Sequence, residues 1–235
     1  MRLIETIYTE SNSFYSKKNP SWHMEDSPWK ANQILRMIHK NHLHPKTIAE
    51  VGCGAGEILN QLYKLMPDNI GFFGYDISGD ALLLCEQRVN ERIRFEQKSL
   101  FNIEKKFDLL LMIDVFEHVE DYYEFLKASS DKGEFKIFHI PLEITVLGVL
   151  RNTFMNSRKS VGHIHYFSKE TALSTLRDSG FEILDHFYTA GLDLESSKKT
   201  FMSKLALLPR KFFYNINHDF GVRLLGGYSL MVLAK

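Results

Sequence analysis

Thr47-Ile48-Ala49-Glu50-Val51-Gly52-Cys53-Gly54-Ala55-Gly56-Glu57-Ile58-Leu59 holds a strand, a turn and the start of a helix within thirteen positions. Thr47 to Val51 is short and mostly apolar, as a buried strand is, and Glu57-Ile58-Leu59 opens a helical stretch. Gly52, Gly54 and Gly56 fill the turn between them. Glycines reach backbone torsions that other residues avoid, and they let a ligand lie against the main chain at the positive end of the following helix. A dinucleotide fingerprint needs its third glycine three positions after the second, which is position 57. Glu57 stands there, which argues against a nicotinamide cofactor.

The rest of the chain supplies repeated strand and helix signals around this turn. Upstream, Ser27 reads as an N-cap and Pro28 as the first helical residue, with Ala31, Ile34, Leu35 and Ile38 at helical spacing to about Lys40. Residues 1 to 25 are aromatic without a clear period (Tyr8, Phe14, Tyr15, Trp22) and read as a cap. The segment from Trp22 to Trp29 suits either the wall of a substrate pocket or a staple fixing the cap. Downstream, Ile58, Leu59, Leu62, Leu65 and Met66 form one apolar stripe, ended by Pro67-Asp68-Asn69. A second strand, Ile70 to Tyr75, delivers Asp76. Ser78 and Asp80 then start a helix, and Ile93 to Gln97 is a third strand. Phe107 to Ile113 is a continuous apolar run, the pattern of a strand covered on both faces. Tyr122 to Ala128 reads as a short helix, and Glu134 to Ile140, Glu182 to Tyr188 and Gly227 to Ala234 as further strands. Ser168 caps a helix that Gly180 closes.

Composition narrows the class. The chain has 235 residues, 44% of them hydrophobic, enough for one α/β domain with a large core. Lysine plus arginine and aspartate plus glutamate both total 29, so no overall field favours a nucleic acid. The first residues lack the apolar core of a signal peptide, and the longest aliphatic run, Ile144 to Leu150, is too short to span a bilayer. Cys53 and Cys85 suggest no disulfide framework, which points to the cytoplasm.

The run Glu50-Val51-Gly52-Cys53-Gly54-Ala55-Gly56 resembles the class I S-adenosylmethionine-dependent methyltransferases. Phe107-Asp108 before the fourth strand, Glu117-His118-Val119 after it, and His163-x-x-x-Phe167-Ser168 before the last helix of the sheet extend the likeness. They recur in small-molecule members of the family, including ubiquinone-biosynthesis O-methyltransferases. The resemblance implies a doubly wound, Rossmann-like sheet of seven mostly parallel strands, the last antiparallel, with helices on both faces. It implies a single domain over 1–235, with 1–45 as an N-terminal cap and 142–167 plus 190–226 as substrate lid. It also implies the cofactor, S-adenosylmethionine, leaving as S-adenosylhomocysteine. Glu50, Gly52, Cys53, Gly54 and Gly56 would hold its methionine end. Asp76, at the end of the second strand, would accept hydrogen bonds from the ribose hydroxyls, a task suited to a carboxylate. Ile77 would lie beside the adenine. Ser99 occupies the place where the family usually has an acidic residue for the adenine amino group, so the Leu100 backbone is a second candidate. Ile113 and Asp114 fall at the carboxyl end of the fourth strand, in the crevice where doubly wound sheets bind ligands.

Transfer to an alcohol or phenol needs a base, and histidine titrates in the right range. The candidates are His118, His163 and His165; the last two alternate and would share a face of an extended segment. Each of the three could equally fix a loop. Asp114, Glu117 and His118 also admit a reading as divalent-metal ligands, but adjacent ligands without a supporting pattern do not establish one, and no metal site is assigned. The expected function is methyl transfer to oxygen of a small molecule, a sugar or glycan intermediate or a quinone-like ring. N- or C-methylation and an inert cofactor-binding module are the alternatives. Arg151, Arg158 and Lys159 hint at an anionic acceptor or at a solvated loop. Residues 198–213 are basic and apolar together, suiting an anionic membrane surface, a partner, or a helix over the domain's own pocket. Oligomeric state stays open.

Overall fold

The computed structural model describes residues 6–9, 14–190 and 207–235. The strands are β1 (Thr47–Val51), β2 (Gly71–Asp76), β3 (Ile93–Gln97), β4 (Phe107–Ile113), β5 (Gly133–Pro141), β6 (Ile183–Ala190) and β7 (Tyr228–Ala234). They form one sheet in the order β3-β2-β1-β4-β5-β7-β6. β1 pairs in parallel with β2 and β4, and β5 with β4, whereas β7 runs antiparallel to both β5 and β6. This is the doubly wound sheet with a reversed last strand that the motifs imply.

The helices α1 (Thr6–Thr9), α2 (Phe14–Lys18), α3 (Ser27–Lys40), α4 (Glu57–Leu65), α5 (Gly79–Cys85), α6 (Tyr122–Ser129), α7 (Val146–Leu150), α8 (Thr153–Ser160) and α9 (Lys169–Asp178) follow in chain order. Two more, Leu207–Ile216 and His218–Leu225, precede β7. Each face of the sheet has its own core. On one, Ile34, Met37 and Ile38 of α3 and Leu59 and Leu62 of α4 meet Ile48, Phe72, Leu109 and Leu111. On the other, Phe125 and Leu126 of α6 and Leu173 and Leu176 of α9 meet Leu110, Met112, Phe138 and Val232. Alternate residues of β4 thus feed opposite cores, which is why its sequence is an unbroken apolar run.

Local chemistry accounts for most of the boundaries. Ser78 caps α5 by accepting the Ala81 amide, and Ser168 with Thr171 forms a capping box at α9. Ser27 is the first residue of α3, so the position before it, Asp26, takes the cap, although its side chain makes no capping bond. The stripe of α4 stops at Leu62, because Leu65 is 54% exposed. The segment after β5 forms α7 and α8, two short helices that periodicity did not reveal. Their basic residues Arg151, Arg158 and Lys159 face solvent. Of the basic stretch 198–213, positions 198–206 lie outside the described residues. Among the described residues no helix is long and apolar enough to cross a membrane.

Gly56 is a packing residue and is absent from the cavity wall. It has φ +72°, and a Cβ there would meet the Phe95 ring at 2.5 Å. Its backbone therefore needs both the left-handed region and the missing side chain, so that α4 can close on β3. Gly56→Ala is expected to lower the free energy of unfolding by about 2 kcal/mol, from backbone strain and overpacking together, as measured by urea denaturation.

Candidate functional site

The carboxyl ends of β1, β2, β4 and β5 open onto one cavity of about 380 Å³, a volume ordinary for a small-molecule site. The turn after β1 forms its floor. Gly52 and Cys53 donate their amides to the Tyr75 carbonyl at 2.8 and 3.1 Å, tying the turn to the neighbouring strand end. Gly52 and Gly54 have φ +72° and +52°, and a Cβ on Gly52 would meet Val115 at 2.7 Å. Main chain is therefore the surface that a ligand meets here.

Asp76 is the second element of the floor. Its Oδ2 accepts the Gly54 amide at 2.8 Å and its Oδ1 the Ser78 amide at 2.9 Å. The carboxylate thus spans the glycine turn and the start of α5, and each oxygen keeps a lone pair for a further donor. Burial pushes its pKa up, against the pull of those amides. Glu50 is 1% exposed, and burial raises its carboxyl well above the usual range while Lys30 acts in the opposite sense. Ile77, Ser99, Leu100, Ile113 and Asp114 also border the cavity, beside Glu50, Gly52, Cys53, Gly54 and Asp76. Ser99 spends its hydroxyl on the Phe101 amide at 3.4 Å.

Asp114 sits at φ +55°, an uncommon conformation for a non-glycine residue. Three contacts hold it there. Its amide donates to the His139 carbonyl at 3.0 Å, its Oδ1 meets His139 Nδ1 at 2.6 Å, and its Oδ2 meets Lys30 Nζ at 2.8 Å. Burial would raise its carboxyl, but His139 and Lys30 hold it far below the ordinary aspartate value. Thr189 continues the chain, 2.8 Å from His139 Nε2.

Lys30 and His139 escaped the sequence reading. Lys30 precedes Ile34 and Ile38 by four and eight positions, so helical spacing alone places it on the buried stripe of α3. His139 lies two residues before the end of β5, where sheet topology aims side chains at the crevice.

The histidines separate into two groups. His118 and His163 border the cavity, with ring centroids 4.8 Å apart. His118 Nδ1 lies 2.9 Å from the Tyr8 hydroxyl, and burial followed by the charge of His163 pushes its pKa down to about 3. That makes it neutral and a weak base. His163 is held by Glu143 Oε2, 2.8 Å from Nδ1; burial lowers its pKa, but Glu143 and Glu117 raise it more. His165 does not share their face. Its Nε2 bonds the Val119 carbonyl at 3.0 Å and its ring packs on Tyr122 at 4.6 Å. The cause is backbone geometry: the amides of both Ile164 and His165 turn to the Glu117 carbonyl, which breaks the extended alternation. His165 is therefore a loop anchor, outside the cavity wall.

The cap closes the other side. Tyr8, Tyr15 and Trp22 form a ladder with ring centroids 5.0 Å apart at each step, and all three border the cavity. Trp22 and His23 both take positive φ to bring the chain over Gly54. Of the segment 142–167 only Val161 and His163 reach the cavity, and among the described residues of 190–226 none does.

A family model described as "Methyltransferase domain" matches residues 49–131, the span from the glycine turn through α6. That part of the chain carries a methyltransferase domain. Among curated proteins, a ubiquinone biosynthesis O-methyltransferase of Rickettsia bellii is 24% identical over 144 residues, covering 51% of this chain and 57% of that relative. Among solved structures, a Thermotoga maritima protein described as a possible histamine N-methyltransferase matches the methyltransferase fold with a TM-score of 0.60. Identity is 17%, covering 94% of this chain and 96% of that one. Magnesium protoporphyrin IX methyltransferase from Synechocystis, crystallised with S-adenosylhomocysteine, gives a TM-score of 0.58 at 15% identity, covering 88% of this chain and 81% of that one.

Lys30→Met should leave the mostly buried Asp114 without its cation and lower stability by about 2–3 kcal/mol. The double variant with Asp114→Asn should recover part of the loss, read by thermal and urea denaturation of all four proteins.

Proposed function

We propose that this methyltransferase domain binds S-adenosylmethionine along the floor of the cavity and methylates oxygen on a small acceptor, a quinone-like ring or a sugar intermediate. The observation that supports this best is one cavity bordered at one end by the bare backbone of Gly52 and Gly54 with the Asp76 carboxylate, and at the other by His118 and His163. The turn would receive the methionine end, Asp76 the ribose hydroxyls, and Ile77, Ser99 and Leu100 the adenine. When bound, the cofactor supplies an electrophilic methyl group on a sulfonium centre.

The chain's own part is mainly geometric. An in-line displacement requires acceptor and methyl to be aligned, and positioning is worth roughly 7–11 kcal/mol in such reactions. The Tyr8–Tyr15–Trp22 ladder excludes water above the turn, the role we give the N-terminal cap. His163 and Val161 bring the segment 142–167 to the acceptor end, the role we give the lid. An alcohol or phenol must also lose its proton, and His118, His163 and Glu117 are the ionisable groups gathered on that side. The likeness to the Rickettsia ubiquinone biosynthesis O-methyltransferase supports oxygen as the acceptor atom and a ring as the acceptor class. Two free, buried cysteines suit a reducing compartment, the cytoplasm.

Calorimetry with S-adenosylmethionine tests the cofactor, and transfer of a labelled methyl group to a panel of phenols, catechols and sugars tests the reaction. Asp76→Asn should weaken cofactor binding by about tenfold or more, because one hydrogen-bond acceptor becomes a donor. Unchanged affinity in a folded variant would remove the ribose role. Binding without turnover on any acceptor would favour an inert module instead.

A further inference from the structure

Behind His118 and His163 lies the carboxyl group of Glu117. Glu117 is 1% exposed, and among the described residues neither Oε1 nor Oε2 has a hydrogen-bond partner. An unpartnered buried carboxyl is costly, and native structures seldom tolerate one without a function. Its neighbours make the arrangement specific. His163 Nε2 stands 4.0 Å from Glu117 Oε1, and ligand atoms of Glu117, His118 and His163 all lie within 4.8 Å of one another.

We propose that Glu117, His118 and His163 bind a divalent transition-metal ion at the acceptor end of the cavity. Two imidazoles and one carboxylate suit zinc, cobalt or ferrous iron; magnesium and calcium prefer oxygen throughout. Three protein ligands leave a coordination position open, as catalytic sites do. Donors about 2.0–2.1 Å from a tetrahedral ion sit about 3.3 Å apart, so modest side-chain rotations close the set.

The outer contacts fit the same reading. A metal-bound histidine usually gives its other ring nitrogen to a carboxylate, which fixes its tautomer and orientation. His163 Nδ1 does so with Glu143 Oε2 at 2.8 Å, leaving Nε2 toward Glu117, and Ser157 in turn hydrogen-bonds the other Glu143 oxygen. His118 Nδ1 is likewise engaged by the Tyr8 hydroxyl. Asp114, which sequence spacing grouped with Glu117 and His118, is excluded because His139 and Lys30 occupy its two oxygens. His163, some 45 positions downstream, takes its place. The sequence reading assigned no metal, and the proposal departs from it by drawing the third ligand from a distant loop.

An ion there would bind the acceptor's hydroxyl oxygen and lower its pKa, as bound metals do for water. That role rests on the methyl-transfer reading; the binding site does not. The test therefore omits cofactor and acceptor. Chelator-treated, tag-free protein is titrated with Co²⁺ and followed by visible absorption, then with Zn²⁺ as competitor. Expected are equimolar uptake, d–d bands of a low-coordinate Co²⁺ site, and their loss on adding Zn²⁺. Glu117→Gln and His163→Ala should each weaken Co²⁺ at least a hundredfold. Glu143→Gln, which only orients His163, should weaken it roughly 10–100-fold. Circular dichroism shows that each variant is folded, and Glu117→Gln keeps the shape of the native side chain. Absence of equimolar uptake at millimolar Co²⁺, or uptake unchanged by Glu117→Gln, overturns the proposal. S-adenosylmethionine affinity measured on the same samples reports independently on the methyl-donor site.

Discussion

The Asp76 carboxylate joins three parts of the chain that would otherwise drift apart. It ends β2, takes the Gly54 amide with one oxygen and the Ser78 amide with the other, and so fixes the turn after β1 against the start of α5. The Tyr75 carbonyl one residue earlier does the same for Gly52 and Cys53. A turn made of glycines has little stiffness of its own, since glycine gives up the most backbone freedom on folding. Its rigidity is borrowed from the neighbouring strand, and the cavity floor exists because that loan is made through a buried charge.

Charge placement on the opposite wall follows a similar logic. Asp114 holds an uncommon backbone conformation at the end of β4, and strained positions persist only where surroundings over-determine them. Lys30 from α3 and His139 from β5 supply that constraint, so a helix, a loop and a strand meet in one ion-paired knot. Glu117, three residues on, is the contrast: more deeply buried, yet without any hydrogen-bond partner among the described residues. One carboxylate is consumed by structure and the other is left for a ligand.

Much of this was legible in the residues. The glycine spacing with Glu57 after it pointed away from dinucleotides, the apolar run of β4 announced a sheet covered on both faces, and Asp76 stood where a doubly wound fold presents its ligand contacts. Those signals are local, and local backbone chemistry decides them. Legibility failed where the outcome depended on distant neighbours. Gly56 looked like part of the ligand cradle but serves the Phe95 ring, and Leu65 kept helical spacing yet faces solvent.

By itself the sequence determined the succession of strands and the main helices between them, the reversed last strand through its family motifs, and the chemical kind of floor the cavity has. Only the tertiary structure decided which histidines meet. His163 and His165 are two residues apart, and alternation puts them on one face; two amides turning to the Glu117 carbonyl send one into the cavity and the other onto Tyr122. Likewise Glu117 and Asp114, alike in sequence, receive opposite fates because Lys30 and His139 reach only the second. Such partnerships join positions 25 to more than 80 residues apart, and no spacing rule along one strand or helix encodes them.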